Sequence, residues 1–305
     1  QKTGDGIFLN REDFLQRITD DPGTGNRYPR LSGAILVWLS QYEEKKRSEL
    51  PVYWKADGWN PIAILGSEPG EDHGFYLAIK GGSATVNHSN LDAGSFVFEL
   101  DGVRWSVDPG NQGYYELEQT IGSSNLWDQS QDSYRWNLLT KGNIYHSTLT
   151  VSDERHKVEG FAPISEIIHN NGEKSVVVDL HEIFQGYIEN TSRKFTKVND
   201  YTLRIEDNFR VLDNTESLTW AMITRADVQT VENGAILKQD ERTLKLKIIN
   251  PPVMNVSVVS LNPPPLPYDK FIPNLKRLEI RIPAYILKES EEPGIVVELS
   301  GAGEE

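Results

Sequence analysis

The sequence predicts an antiparallel β-sandwich over residues 51–305, preceded by a short helical segment over residues 1–50. Three observations carry this expectation. After Pro51 the apolar residues fall in short runs, many of them alternating, with the length of strands rather than helices. Gly, Asn, Asp and Pro recur between the runs, as in Asp101-Gly102, Asn171-Gly172 and Asn233-Gly234, pairs suited to tight turns. No helical period separates one run from the next, which argues against the βαβ alternation of a parallel sheet and for a sandwich.

Taken in order, Arg11–Thr19 sets Phe14, Leu15 and Ile18 at helical spacing behind Asn10, a residue type that caps helix N-termini. A Gly/Pro/Asn/Asp loop follows over 20–30. Leu31–Arg47 then carries the apolar stripe Leu31, Ala34, Ile35, Trp38, Leu39 and Tyr42, and ends on Lys and Arg, where a helix C-terminus favours cations. Two helices cannot bury such a stripe between them, so they are expected to pack on the β domain or on further helices. The chain begins at Gln1 without an initiator Met or a signal-peptide pattern, and is expected to be processed or cut from something longer.

Strands are expected at Gly74–Lys80, Phe96–Leu100, Val103–Val107, Ser175–Leu180, Thr202–Val211, Ser217–Thr224, Thr243–Ile249, Val253–Val259, Arg277–Ile282 and Gly294–Leu299. The Pro-rich Asn262–Pro267 is expected to be a surface connection. No internal repeat is visible.

With 305 residues the chain buries a sizeable core. A net charge of −14 and a pI near 5.0 exclude a general binder of nucleic acid or anionic membrane, since those partners need a basic face. A local basic pocket is compatible with that balance. Cysteine is absent, so disulfides and thiolate sites are excluded, and a transition metal would have to use His, Asp, Glu or Asn. No apolar run is long enough to span a bilayer as a helix.

Polar chemistry concentrates in Ser83–Gly110, where His88, Asn90, Asp92 and Asp108 surround two strand-like runs. Pro109-Gly110 forces a turn that presents the Asp108 carboxylate at a strand end, and His146 opens a later run, His-Ser-Thr-Leu-Thr-Val. Imidazole and carboxylate suit a divalent ion such as zinc. The spacing alone leaves a second reading open, in which His88 and His146 are polar residues satisfied by loop backbone. In Asn125–Lys141, Trp127 and Trp136 are candidates for stacking on sugar rings, and Arg135 for gripping a carboxylate or sulfate; equally, the tryptophans anchor a long loop. Trp105 is expected in the core and Lys80 as a solvated strand end. His73 is expected on an exposed loop, and His156, His169 and His181 at the surface.

The segments His88–Phe96, Asp108–Gly110 and His146–Leu149, with Ser-Leu-Thr-Trp-Ala-Met-Ile-Thr downstream, resemble the C-terminal part of heparinase II/III-like proteins. These are polysaccharide lyases built from an α/α toroid followed by an antiparallel β-sandwich. The resemblance runs over roughly residues 83–300. It implies that residues 1–50 are the end of the toroid, that the rest of the toroid is a missing partner, and that the protein is periplasmic or secreted.

The implied activity is β-elimination on an acidic, uronic-acid-containing polysaccharide, with a non-catalytic carbohydrate-binding or structural relative as the alternative. By the resemblance, His88 stands beside the substrate as base or carboxylate neutraliser, next to Asn87 as a substrate contact. Phenols suit the proton donor or acceptor, and of Tyr114, Tyr115, Tyr134 and Tyr145 the favoured pair is Tyr115 and Tyr134. The resemblance also implies a divalent metal, zinc, on Asn90, Asp108 and His146. Asn90 departs from the pattern, standing where the second His of H-x-H is usual, and an amide oxygen is a poor substitute for imidazole at zinc.

Overall fold

In a computed structural model of the chain, the structure describes residues 37, 40, 51–170, 173–288 and 294–301, without the side chains of 166–170 and 173. The chain divides into two units between Pro51 and Val52. The helices expected at 11–19 and 31–47 lie outside the described residues apart from helical Val37 and Ser40, and the Asn171-Gly172 turn also falls outside them.

The described part of the second unit is mainly β, and its named strands pair antiparallel in three sheets. In the first, β1 (Tyr53–Ala56), β2 (Ile62–Gly66), β3 (Phe75–Lys80), β4 (Phe96–Leu100) and β5 (Val103–Ser106) lie side by side in chain order. The remaining strands are β6 (Leu149–Val151), β7 (Ile164–Asn170), β8 (Glu173–Asp179), β9 (Ile188–Asn199), β10 (Thr202–Val211), β11 (Ser217–Thr224), β12 (Asp227–Val231), β13 (Gly234–Gln239), β14 (Arg242–Asn250), β15 (Ser257–Ser260), β16 (Lys276–Pro283) and β17 (Ile295–Gly301). They form an eight-stranded sheet in the order β12-β13-β14-β17-β10-β9-β8-β7 and a four-stranded sheet in the order β15-β16-β11-β6.

Alternation drives the architecture. In β3 every second residue, Phe75, Leu77 and Ile79, is buried, and in β4 Phe96, Phe98 and Leu100 are. Their inward faces join one core with residues of the other two sheets: Phe96 packs edge-on against Phe195 of β9 at 5.6 Å and lies 6.4 Å from Trp220 of β11. Each such ring, fully buried, contributes roughly 1.5–3 kcal/mol. Trp105 belongs to this core, as expected.

Strand β11 is buried along its whole length. One set of its side chains, Leu218, Trp220 and Met222, enters the main core, while Ile223 packs with Leu139, Leu261 and Leu275 in a separate cluster. A segment from Asp108 to Ser147 supplies Leu139 and carries helices α1 (Tyr114–Ile121) and α2 (Ser123–Trp127). Its two ends are fixed to β11, since Val107 N–H donates to the Ile223 carbonyl and Ala221 N–H to the Thr148 carbonyl. A last helix, α3 (Ala284–Lys288), follows β16.

Two expectations are corrected here. The strand expected at Val253–Val259 begins only at Ser257, because Pro251 and Pro252 lack amide hydrogens and Val253 takes a left-handed φ of 61°. His156 is not at the surface: it is buried, its Nε2 lies 2.8 Å from the Leu149 carbonyl, and its ring meets Phe184 edge-on. Burial lowers its pKa to about 4, outweighing the opposing pull of the Leu149 carbonyl and the Asp92 charge. His181 is exposed as expected, His73 is half-buried against Asp101 at 3.0 Å, and the His169 side chain lies outside the described ones.

Candidate functional site

Strand β5 ends where Asp108 turns out of the sheet. Its Oδ1 accepts the Gly110 N–H at 2.6 Å, closing the turn that Pro109-Gly110 begins, and Gly110 takes a φ of 69° that suits glycine. Oδ2 meets Nδ1 of His146 at 3.1 Å. The two strands' ends are locked by Ser106 and Ser147, whose hydroxyls are 3.0 Å apart, and Ser147 Oγ also accepts the Ile223 N–H. Burial would raise the Asp108 pKa, but the hydrogen bond and charge of His146, the Gly110 amide and Lys80 outweigh it and hold it at about 2.

Asp92 completes the cluster. One ligand atom each from Asp92, Asp108 and His146 lie within 4.8 Å of one another, a possible three-ligand group for a metal ion. Lys80, expected to be solvated, instead reaches Asp92 Oδ1 at 2.5 Å, because Gly94 donates back to the Lys80 carbonyl and folds the Asp92 loop onto the end of β3. Asn90 donates to Asp92 Oδ2 at 3.4 Å, and its own Oδ1 accepts the ammonium of Lys141 at 3.0 Å. Lys141 is buried, also reaches Asn111 Oδ1 at 3.4 Å, and has its pKa lowered to about 8 by burial and by Arg135, against the pull of Asp92 and Asp108.

The zinc set implied by the resemblance does not fit this arrangement. Asn90 would have to offer the oxygen that Lys141 holds, and Asp92, the replacement carboxylate, is paired with Lys80. Of the candidate donors, Asn90 Oδ1 and Asp92 Oδ1 are engaged by ammonium groups, and Asp108 is engaged by the Gly110 amide and His146 Nδ1.

Over the centre sits an aromatic group. His88 Nδ1 lies 2.9 Å from the Tyr114 hydroxyl, the two rings stack at 5.3 Å, and Trp127 meets them at 5.0 Å from Tyr114 and 5.8 Å from His88. Lys141 Nζ stands 5.4 Å from the Tyr114 ring centre, which links this group to the charged one. His88 holds a left-handed φ of 67°, an unusual conformation for a residue with a side chain. Asn87 and His88 are exposed, and Trp127 is 39% exposed with its indole N–H on Glu118.

The other expected substrate contacts differ in placement. Arg135 is 1% exposed and donates to the carbonyls of Leu126 and Ser89, so it ties the Asp108–Ser147 segment to the His88 loop from beneath. Trp136 is buried beside Ala84, Leu91 and Val158 and donates to the Ser130 carbonyl, the position of a loop anchor. Tyr115 is 75% exposed, one residue past the Tyr114 that faces His88. Tyr134 shares a short hydrogen bond with Tyr268, whose pKa is raised to about 12 by burial and by that contact.

Sequence reasoning missed Lys141, Arg193 and Tyr268. Arg193 on β9 forms a bidentate ion pair with Asp207 of β10 at 2.6 and 2.9 Å, both side chains fully buried. Its Nη1 also donates to the carbonyls of Gly94 and Ser147, holding the Asp92 loop and the His146 segment from one point.

A model of the family described as heparinase II/III-like, C-terminal, matches residues 62–251, more than half of the chain. Among solved structures, a heparan sulfate lyase mutant from Pedobacter heparinus is similar with a TM-score of 0.59 at 11% identity, covering 88% of this chain and 39% of that one. A heparinase III structure is similar with a TM-score of 0.55 at 15% identity, covering 80% of this chain and 36% of that one. At such identities these likenesses show the fold, and this chain spans well under half the length of either protein. Among curated protein sequences none matches.

Proposed function

We propose a function on the premise that this chain belongs to the heparinase II/III-like C-terminal family. On that premise it is part of a polysaccharide lyase that cleaves an acidic, uronic-acid-containing polysaccharide by β-elimination, secreted or in the periplasm, with the toroid domain as the rest of the machinery. Among the described residues no helix is long and apolar enough to cross a membrane.

The observation that carries the reading is the His88–Tyr114 contact at 2.9 Å on an exposed, aromatic-lined surface beside the Lys141 ammonium. In the elimination a base takes the C5 proton of the uronate, the C4–C5 double bond forms, and the C4–O4 bond breaks as the leaving oxygen is protonated. With Nδ1 on Tyr114, His88 offers Nε2 to the substrate, as base or as partner of the uronate carboxylate. Tyr114 both orients His88 and carries a phenolic proton for the leaving oxygen. Tyr115 and Tyr134 are the further phenols available to it. Asn87 and Trp127 flank His88 as substrate contacts, while Arg135 and Trp136 hold the loop. The zinc implied at Asn90, Asp108 and His146 enters no step.

The test is to assay a longer protein carrying this chain on a panel of uronic-acid polysaccharides, following the ultraviolet absorbance of unsaturated uronate. Product is expected with the native protein and a loss of about 100-fold or more with His88→Ala. Binding of acidic glycan without any unsaturated product would sink the lyase reading and leave the non-catalytic, carbohydrate-binding one.

A further inference from the structure

The centre is electrically complete within the protein. Two carboxylates, Asp92 and Asp108, are balanced by two ammonium groups: Lys80 lies on Asp92 at 2.5 Å, and Lys141 is fixed by Asn90 at 3.0 Å and Asn111 at 3.4 Å. Lys141 is 2% exposed, so its charge is held in place by the fold rather than by solvent. Asn90 suits that arrangement in a way histidine does not, since its Oδ1 accepts from an ammonium while its Nδ2 donates to Asp92. A divalent ion added here would stand beside two ammonium groups whose charge the two carboxylates already balance, and like charges at contact distances repel strongly where water is excluded. The donors outside the ammonium contacts are His146 Nε2, buried without a hydrogen-bond partner among the described residues, and the Asp108 carboxylate, whose Oδ1 takes the Gly110 amide and whose Oδ2 is held by His146 Nδ1; these two side chains are fewer than the three or four protein ligands a zinc site uses.

We propose that Lys141, seated on Asn90, supplies as a fixed side-chain ammonium the positive charge that a bound divalent cation would otherwise bring to this centre, so that the site is metal-independent. The proposal concerns the same centre as the lyase reading but does not rest on it, because metal content is read without any substrate.

The experiment compares the native chain with Asn90→His/Lys141→Ala, by elemental analysis after dialysis against a chelator and by zinc titration monitored through calorimetry and thermal melting. The native chain is expected to retain no stoichiometric metal, to melt at the same temperature with and without chelator, and to show no zinc-dependent shift. The double variant, which restores an imidazole and removes the ammonium, is expected to bind one equivalent of zinc and to melt higher in its presence. One equivalent of metal held by the native chain and lost from His146→Ala overturns the proposal, as does a folded double variant that takes up no zinc. Should the double variant not fold, Lys141→Met carries the second arm: it leaves the carboxylates undercompensated and is expected to bind zinc at least about tenfold more tightly than the native chain. No gain there overturns the proposal too.

Discussion

Two charged groups in this molecule use similar residues for opposite ends. In the eight-stranded sheet, Arg193 and Asp207 are both fully buried, and all three guanidinium nitrogens end on protein acceptors. In the centre at the end of β5, Asp108 keeps 39% of its side chain exposed, and His88 above it faces solvent. The first group is closed, and its chemistry is consumed in holding loops. The second is balanced but open on one side, so its polar groups stay within reach of a ligand.

The comparison is tested most severely at Arg193. Arg193→Met leaves Asp207 buried without its partner and frees the Gly94 and Ser147 carbonyls, so a loss of about 3–5 kcal/mol is expected in denaturant unfolding. A loss below about 1 kcal/mol would mean that the pair is not the fastening described.

Next in size is the acid response of His156, buried beside both groups. Its folded pKa, about 4, lies below the ordinary 6.5, so the unfolded chain binds the proton first. Its contribution is complete above pH ~6.5 and is lost as the pH falls toward ~4, a change of about 3 kcal/mol at most. Asp108, held at about 2, adds a second loss only below its ordinary value of 3.8. Unfolding measured between pH 7 and 3 in native protein and in His156→Gln should separate the windows: the variant is expected to lose the upper slope. Persistence of that slope would assign it to another group.

The smallest stability effect is expected on the open side. Tyr114→Phe removes only the hydroxyl at His88, and a change within about 0.5 kcal/mol is expected in thermal melts, while elimination by the longer protein falls. An equal fall with Tyr115→Phe and none with Tyr114→Phe would reverse the assignment of the two neighbouring phenols.

How far the sequence reveals all this depends on what each residue type normally does. Strands β10 and β11 match their expected bounds because Leu203, Ile205, Phe209 and Val211 keep to alternate positions in β10 and apolar residues fill most of β11. Strand β9 does not stand out, since its buried residues include Arg193 and Thr196, polar residues whose partners, Asp207 and Ser175, lie on neighbouring strands. Asp108 and His146 are legible because a Pro-Gly turn and a strand start frame them. Lys80 and Lys141 are not, since lysine is ordinarily solvated. A faint signal exists at Lys141: it closes Trp-Asn-Leu-Leu-Thr-Lys, a run otherwise apolar enough to bury its end, and is followed by Gly142, where a side chain would strike the Trp136 carbonyl. Tyr114 against Tyr115 is a matter of helical phase in α1, which a run of two tyrosines does not encode.

The double grip of Arg193 on Gly94 and Ser147 also bears on how the protein fails. Because one guanidinium in the sheet is common to both walls of the centre, the walls cannot drift apart while the sheet remains intact. Binding competence and sheet structure should therefore disappear in a single cooperative step, with coincident midpoints for ligand binding and far-ultraviolet circular dichroism and no folded but incompetent species between them.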